Sequence, residues 1–82
     1  MADVIDMKLK EAAVALADTG SYDRAAARLG ITTRELMQRI WTLEITLCLI
    51  IFLPEAGSVE LIDDGRFFMQ AFRETLIRHK QG

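Results

Sequence analysis

Arg34 and Gln38 stand one helical turn apart in the run from Thr33 to Arg39. Their side chains end in the two planar groups that suit base edges: a guanidinium fork for guanine O6 and N7, and an amide for adenine N6 and N7. Arg24, Arg28 and Arg39 flank them in sequence, as cations placed to touch phosphates from the sides. Other chemistry-bearing residues offer less. Asp63 and Asp64 are adjacent, so on a helix they do not face each other as a catalytic pair would, and capping explains them. Ser21 is likewise accounted for as a cap. Cys48, between Leu47 and Leu49 with no cation or histidine near it in sequence, reads as a small buried residue rather than a reactive thiolate. One cysteine and one histidine, His79, exclude an internal disulfide and a Cys/His zinc cluster, and there is no glycine-rich phosphate loop. The expectation is a binding protein with no enzymatic activity, no cofactor and no metal.

The elements that must position the binding residues follow from spacing. A first helix over residues 4–18 puts Ile5, Leu9, Ala12, Ala13 and Leu16 on one face and turns Lys8, Lys10 and Glu11 elsewhere. Thr19 and Gly20 end it. Ser21 caps a second helix over 22–29, whose Ala25, Ala26 and Ala27 make a smooth face, and Gly30 sits where a left-handed residue closes a helix. Thr32 and Glu35 form an S/T-x-x-E capping box that starts a third helix at residue 33. Leu36, Ile40, Leu43 and Leu47 then face the core, leaving Thr33, Arg34, Met37, Gln38 and Trp41 outward. Helix, tight turn and helix, with small residues where the two must touch, is the helix-turn-helix pattern, and the outer face becomes a candidate surface for duplex DNA.

Beyond it, the apolar, β-branched run 49–52, the turn residues Pro54, Gly57 and Ser58, and the brief alternation of 59–62 read as a short hairpin. Asp63 caps a final helix running to about residue 80, which ends in Arg78, His79 and Lys80 as the helix dipole prefers. Phe68, Met69, Phe72, Leu76 and His79 line one side of it, and Phe67, Ala71 and Ile77 form a second strip; one can cover the core and the other meet a partner.

At 82 residues the chain is one domain, able to bury roughly 60–65% of its unfolded surface. With 51% hydrophobic residues and a mean hydropathy of +0.19, part of the apolar surface is expected to meet a partner. A net charge of −2 argues against strong non-specific polyanion binding, and residues 49–62 contain no Lys or Arg. The N-terminus lacks the pattern of a secretory signal, and the longest apolar run, 47–53, falls short of the roughly 20 residues that span a bilayer. A soluble, cytoplasmic protein is expected.

The ordered set Gly20, Ser21, Ala25, Ala26, Leu29, Ile31, Leu36, Ile40, Leu43, Glu44, Leu47, Phe52, Val59, Leu61 and Gly65 resembles, without a gap from residue 14 to 65, the N-terminal winged helix-turn-helix domain of LysR-type transcriptional regulators. The resemblance implies a mainly α fold of three helices, a short β-hairpin wing and a long C-terminal linker-like helix. It implies a single domain over 1–82, with core and wing at 4–62 and a dimerisation helix at 63–80. The implied function is DNA-binding transcriptional regulation by a homodimer, with two recognition helices in major grooves about 34 Å apart. Thr33, Arg34, Met37 and Gln38 are then expected in the groove, Ser21, Arg24 and Arg39 at the DNA backbone, and Phe67, Phe68, Phe72 and Leu76 at the dimer interface. In that family a larger effector-binding region follows; here the chain stops after the linker-like helix, which is expected of a stand-alone module or of a fragment that lacks the sensing half, and no inducer site is carried over.

The departures from the family fall on the binding face. Members usually open the recognition helix with a polar residue and Pro, then a Ser or Thr one turn on and an Arg or Lys; here Thr33, Arg34, Met37 and Gln38 hold those places. Trp41 stands where a basic residue is common, as do Ile50, Pro54, Gly57 and Glu60 in the wing. Cys48 replaces a common Gly, and Lys10 and Ala13 replace a Leu and an aromatic. The alternative is therefore a protein–protein interaction module with weakened or lost DNA binding, in which Met37, Trp41, Ile50 and Leu53 anchor a protein partner.

Overall fold

A computed structural model describes residues 6–55 and 58–81, and the side chains among them except at 54, 55, 58–60, 63, 64 and 79–81. The order is α1 (Met7–Thr19), α2 (Tyr22–Leu29), α3 (Thr33–Leu47), β1 (Phe52–Glu55), β2 (Ser58–Leu61) and α4 (Asp63–Gln81). This is the winged helix-turn-helix expected from the sequence.

α1 begins later than its apolar spacing suggests, because the Asp6 carboxylate accepts the Lys8 N–H at 3.0 Å and caps the helix there. Val4 and Ile5, expected on its apolar face, lie outside the described residues. α1 is the central helix, touching α2, α3, α4 and β2. That position overturns one expectation: Lys10, read as turned away from the core, is 4% exposed. A helix packed on several sides has its polar flank covered along with its apolar stripe. Among the described residues no buried side-chain N or O lacks a hydrogen-bond partner, as burial of polar groups requires.

The turns between the first three helices follow their sequence signals. Gly20 (φ 67°) and Gly30 (φ 70°) take the left-handed conformation that closes α1 and α2. The Ile31 N–H reaches the Ala26 carbonyl at 3.0 Å, so α3 starts within a few residues of the end of α2. Ala25 and Ala26 are buried at the contact, and Leu36, Ile40 and Leu43 complete the core with Leu16, Ile51, Met69 and Phe72.

The hairpin starts at Phe52 rather than at residue 49, pairing Phe52 with Leu61 and Leu53 with Glu60 in antiparallel register. The intervening residues turn the chain. Cys48 closes α3 in a left-handed conformation, the Leu49 N–H bonds the Glu44 carbonyl at 3.1 Å, and the Glu44 carboxylate accepts the N–H groups of Ile51 and Phe52 at 2.8 and 3.1 Å. The Ile62 N–H then donates to the Ile51 carbonyl at 2.8 Å and delivers the chain to α4. Asp63 is the first residue of α4; the capping role expected of its carboxylate lies outside the described side chains. Gly65 is buried where the first turn of α4 meets the hairpin base, and a Cβ there would lie 2.6 Å from Ile51 Cγ2.

Candidate nucleic-acid interface

The start of α3 is held by Thr32, whose hydroxyl accepts the Glu35 N–H at 3.0 Å. The Glu35 carboxylate lies toward Arg39, 3.9 Å away, and so takes part in an i,i+4 ion pair. With Leu36, Ile40 and Leu43 buried, the helical period puts Arg34, Met37, Gln38 and Trp41 on the exposed face and leaves Thr33 half-buried. The Thr33 hydroxyl donates to the Asp23 carboxylate at 2.9 Å, tying α2 to α3. Asp23 was missed by sequence reasoning: it reads as an ordinary first-turn acid of α2, and nothing local reveals a partner ten residues on.

Arg34, Met37, Gln38 and Trp41, with Tyr22, Glu44 and the buried Ile40, line a cleft of about 430 Å³. Burial, and secondarily the negative charge of Glu44, pushes the Tyr22 phenol above its ordinary pKa, so it stays a neutral donor across the physiological range. A second cleft of about 260 Å³ shares Trp41 and Glu44 and continues past Ile45 to Ile50. Trp41 is 66% exposed and Ile50 is also exposed, so neither completes the core against the hairpin. Leu53 is exposed as well; the side chains of Pro54, Gly57 and Glu60 lie outside the described residues.

The flanking cations differ in availability. Arg24 and Arg34 are exposed, and neither guanidinium has an ion pair among the described residues. Arg39 is held by Glu35, and its side chain is 23% exposed. The Ser21 hydroxyl accepts the Arg24 N–H at 3.3 Å as the cap of α2. Arg28 is drawn away to Asp18, at 3.3 Å, and Arg73 of α4 bonds the same carboxylate. The Arg73 hydrogen bond, aided by the charges of both arginines, holds the Asp18 carboxyl below its ordinary pKa against the opposing effect of burial.

Two expectations about single residues change. Cys48 is exposed, not buried: it adopts φ 54°, ψ 39° at the end of α3 with its thiol outward. On α4, Phe72 is 4% exposed and belongs to this chain's own core, so it is not free to line a dimer interface. Phe68 and Leu76 are half-buried, whereas Phe67 is 75% exposed, with Ile77 also exposed. Among the described residues no cluster of His, Cys, Asp and Glu could hold a metal ion, and no helix is long and apolar enough to cross a membrane.

Residues 7–66 match the family model described as bacterial regulatory helix-turn-helix protein, lysR family. Among solved structures, the chain is similar to the BenM DNA-binding domain in complex with benA site 1 DNA, at 25% identity and a TM-score of 0.87, over 93% of this chain and 85% of that one. It is similar to the CbnR DNA-binding domain in complex with DNA at 21% identity and a TM-score of 0.87, over 93% and 87% of the two chains. Against an OxyR variant from Corynebacterium glutamicum the TM-score is 0.92 at 19% identity, over 96% of this chain and 24% of that one.

Proposed function

The chain belongs to the LysR family of bacterial regulatory helix-turn-helix proteins, and from that membership we propose that it is a cytoplasmic transcriptional regulator that reads double-stranded DNA as a homodimer. α3 of each copy enters the major groove with Thr33, Arg34, Met37 and Gln38 toward the bases, while Ser21, Arg24 and Arg39 meet the phosphates. Residues 4–62 form the reading head, and 63–80 pair two copies through Phe67 with Phe68 and Leu76 beside it. The observation that carries the proposal is Arg34: an exposed guanidinium without an ion pair among the described residues, on the outward face of the second helix of the motif. The BenM and CbnR domains, whose structures hold DNA, support it. A protein-interaction module anchored on Trp41 is not favoured, because both neighbouring domains are DNA-binding ones. No catalytic activity is assigned.

Selection of duplexes from a random pool at two salt concentrations, followed by anisotropy titration, tests the reading. With two phosphate-facing cations per copy, Arg24 and Arg39, the slope of log affinity against log salt should be about −3.6 for the dimer. Arg34→Ala, which alters an exposed side chain, should keep the fold and lose about tenfold or more in discrimination at one base pair per half-site. The function is refuted by an absence of duplex binding at low salt. If Arg34→Ala selects the same sites as the parent, the recognition surface is elsewhere; a strict monomer in light scattering at high micromolar concentration removes the dimer.

A further inference from the structure

Two of the residues that line the α3 cleft are apolar and exposed at a place where the face should be polar. Met37 is 51% and Trp41 66% exposed, one turn apart, with Arg34 and Gln38 beside them. A thioether and an indole held in water gain by being covered. In the major groove the one apolar feature among the base edges is the 5-methyl group of thymine.

We propose that Met37 and Trp41 form a receptor for a thymine 5-methyl group on the base pair next to the one that Arg34 contacts; the inference rests on the DNA-reading function above. Spacing supports it. Met37 follows Arg34 by three residues, about 4.5 Å along the helix axis, against about 3.4 Å from one base pair to the next. With α3 lying along the groove, a displacement of that order sets Met37 over the pair next to the one the guanidinium spans, and Trp41, one turn further, walls the cleft behind the methyl. Charge supports it too. Asp23 and Glu44 border this face, and residues 49–62 supply no Lys or Arg. Acids repel phosphate but cost a methyl contact nothing, so apolar burial is the term this surface can still offer. One oxygen of the Glu44 carboxylate, Oε2, accepts the N–H groups of both Ile51 and Phe52, which ties this acid to the start of the hairpin.

The test uses the full chain and a duplex recovered by the selection described above. Each thymine is replaced in turn by deoxyuridine, which removes the methyl and leaves the pairing intact. At one thymine per half-site, adjacent to the pair that Arg34→Ala desensitises, affinity should fall about fourfold, the worth of one buried methyl at about 0.8 kcal/mol. The thymine-to-uracil ratio should be the same at both salt concentrations, because deleting a methyl releases no counterion. Met37→Ala, checked for an unchanged circular-dichroism melt, should bind the two duplexes within about twofold of each other, and Trp41→Ala should shrink the ratio likewise. Trp41 is the sole tryptophan of the chain, so its fluorescence should change on the thymine duplex and less on the uracil duplex. If the parent duplex binds and Arg34→Ala loses its preference, but no uracil substitution matters, the methyl receptor is overturned while the DNA-reading function stands. Equal uracil sensitivity in Met37→Ala and the parent also overturns it. Absence of duplex binding overturns the function itself.

Discussion

Replacing Cys48 by Gly should stabilise the protein, although it deletes a side chain. Cys48 ends α3 at φ 54°, ψ 39°, and its N–H and that of Leu49 close the helix on the carbonyls of Ile45 and Glu44, both at 3.1 Å. A left-handed conformation costs an L-residue about 1–2 kcal/mol relative to the right-handed one. The thiol is exposed, so removing it forfeits little burial. Against the gain stands the larger freedom of Gly in the unfolded chain, about 0.4–1 kcal/mol. The net expectation is about 0.5–1 kcal/mol in favour of Cys48→Gly, or a rise in Tm of about 2–8 °C for a domain of this size. Cys48→Asn, which tolerates this conformation, should fall near or slightly above the parent, and Cys48→Val, β-branched, should fall below it. Urea unfolding and calorimetry at one fixed protein concentration would rank the series, since the proposed dimerisation would make midpoints concentration-dependent. If Gly does not exceed Cys, or Val matches it, the left-handed conformation at residue 48 carries no strain and the expectation is refuted.

Three further outcomes are expected. Glu44→Ala leaves the part-buried N–H groups of Ile51 and Phe52 without their acceptor and should cost about 2–3 kcal/mol in chemical unfolding, with Glu44→Gln losing less because its amide oxygen still accepts. Gly65→Ala puts a methyl 2.6 Å from Ile51 Cγ2, on a stiff, fully buried side chain; the overpacking, about 1–3 kcal/mol, should outweigh the roughly 0.5–1 kcal/mol gained in helix propensity, and thermal melts would show the sign. Asp18 has its carboxyl pKa lowered in the folded state from an ordinary 3.8. Its contribution is therefore fully present above that value and is lost as pH falls from there through the lower folded value. Asp18→Asn should flatten that acid limb in pH-dependent melts and cost about 0.5–1 kcal/mol near neutrality, as befits partly exposed ion pairs.

The caps and the inward stripe of α3 were legible in the sequence because each depends on neighbours within one or two turns. Ser21, Thr32 and Gly30 act on N–H and carbonyl groups a few residues away, and Leu36, Ile40 and Leu43 need just the helical period to share a face. The same locality made Arg34, Met37, Gln38 and Trp41 recognisable as one outward surface. Cys48 marks where that reading stops. A lone thiol between two leucines looks buried, yet the hairpin must leave α3 by a left-handed residue, and that geometry turns the side chain into solvent.

Residue types and their spacing thus determined the element order, the bounds of α2, the start of α3 and the exposed face of α3, since those are short-range properties of the backbone. Tertiary packing decided the rest. It placed α1 at the centre and covered Lys10, committed Phe72 to the core while leaving Phe67 exposed, and drew Asp18, Arg28 and Arg73 together from three helices. It also set Asp23 on Thr33 and Glu44 on the start of the hairpin. Each of these joins groups distant in sequence or on separate elements, and their meeting depends on how whole helices cross, which no local window of sequence contains.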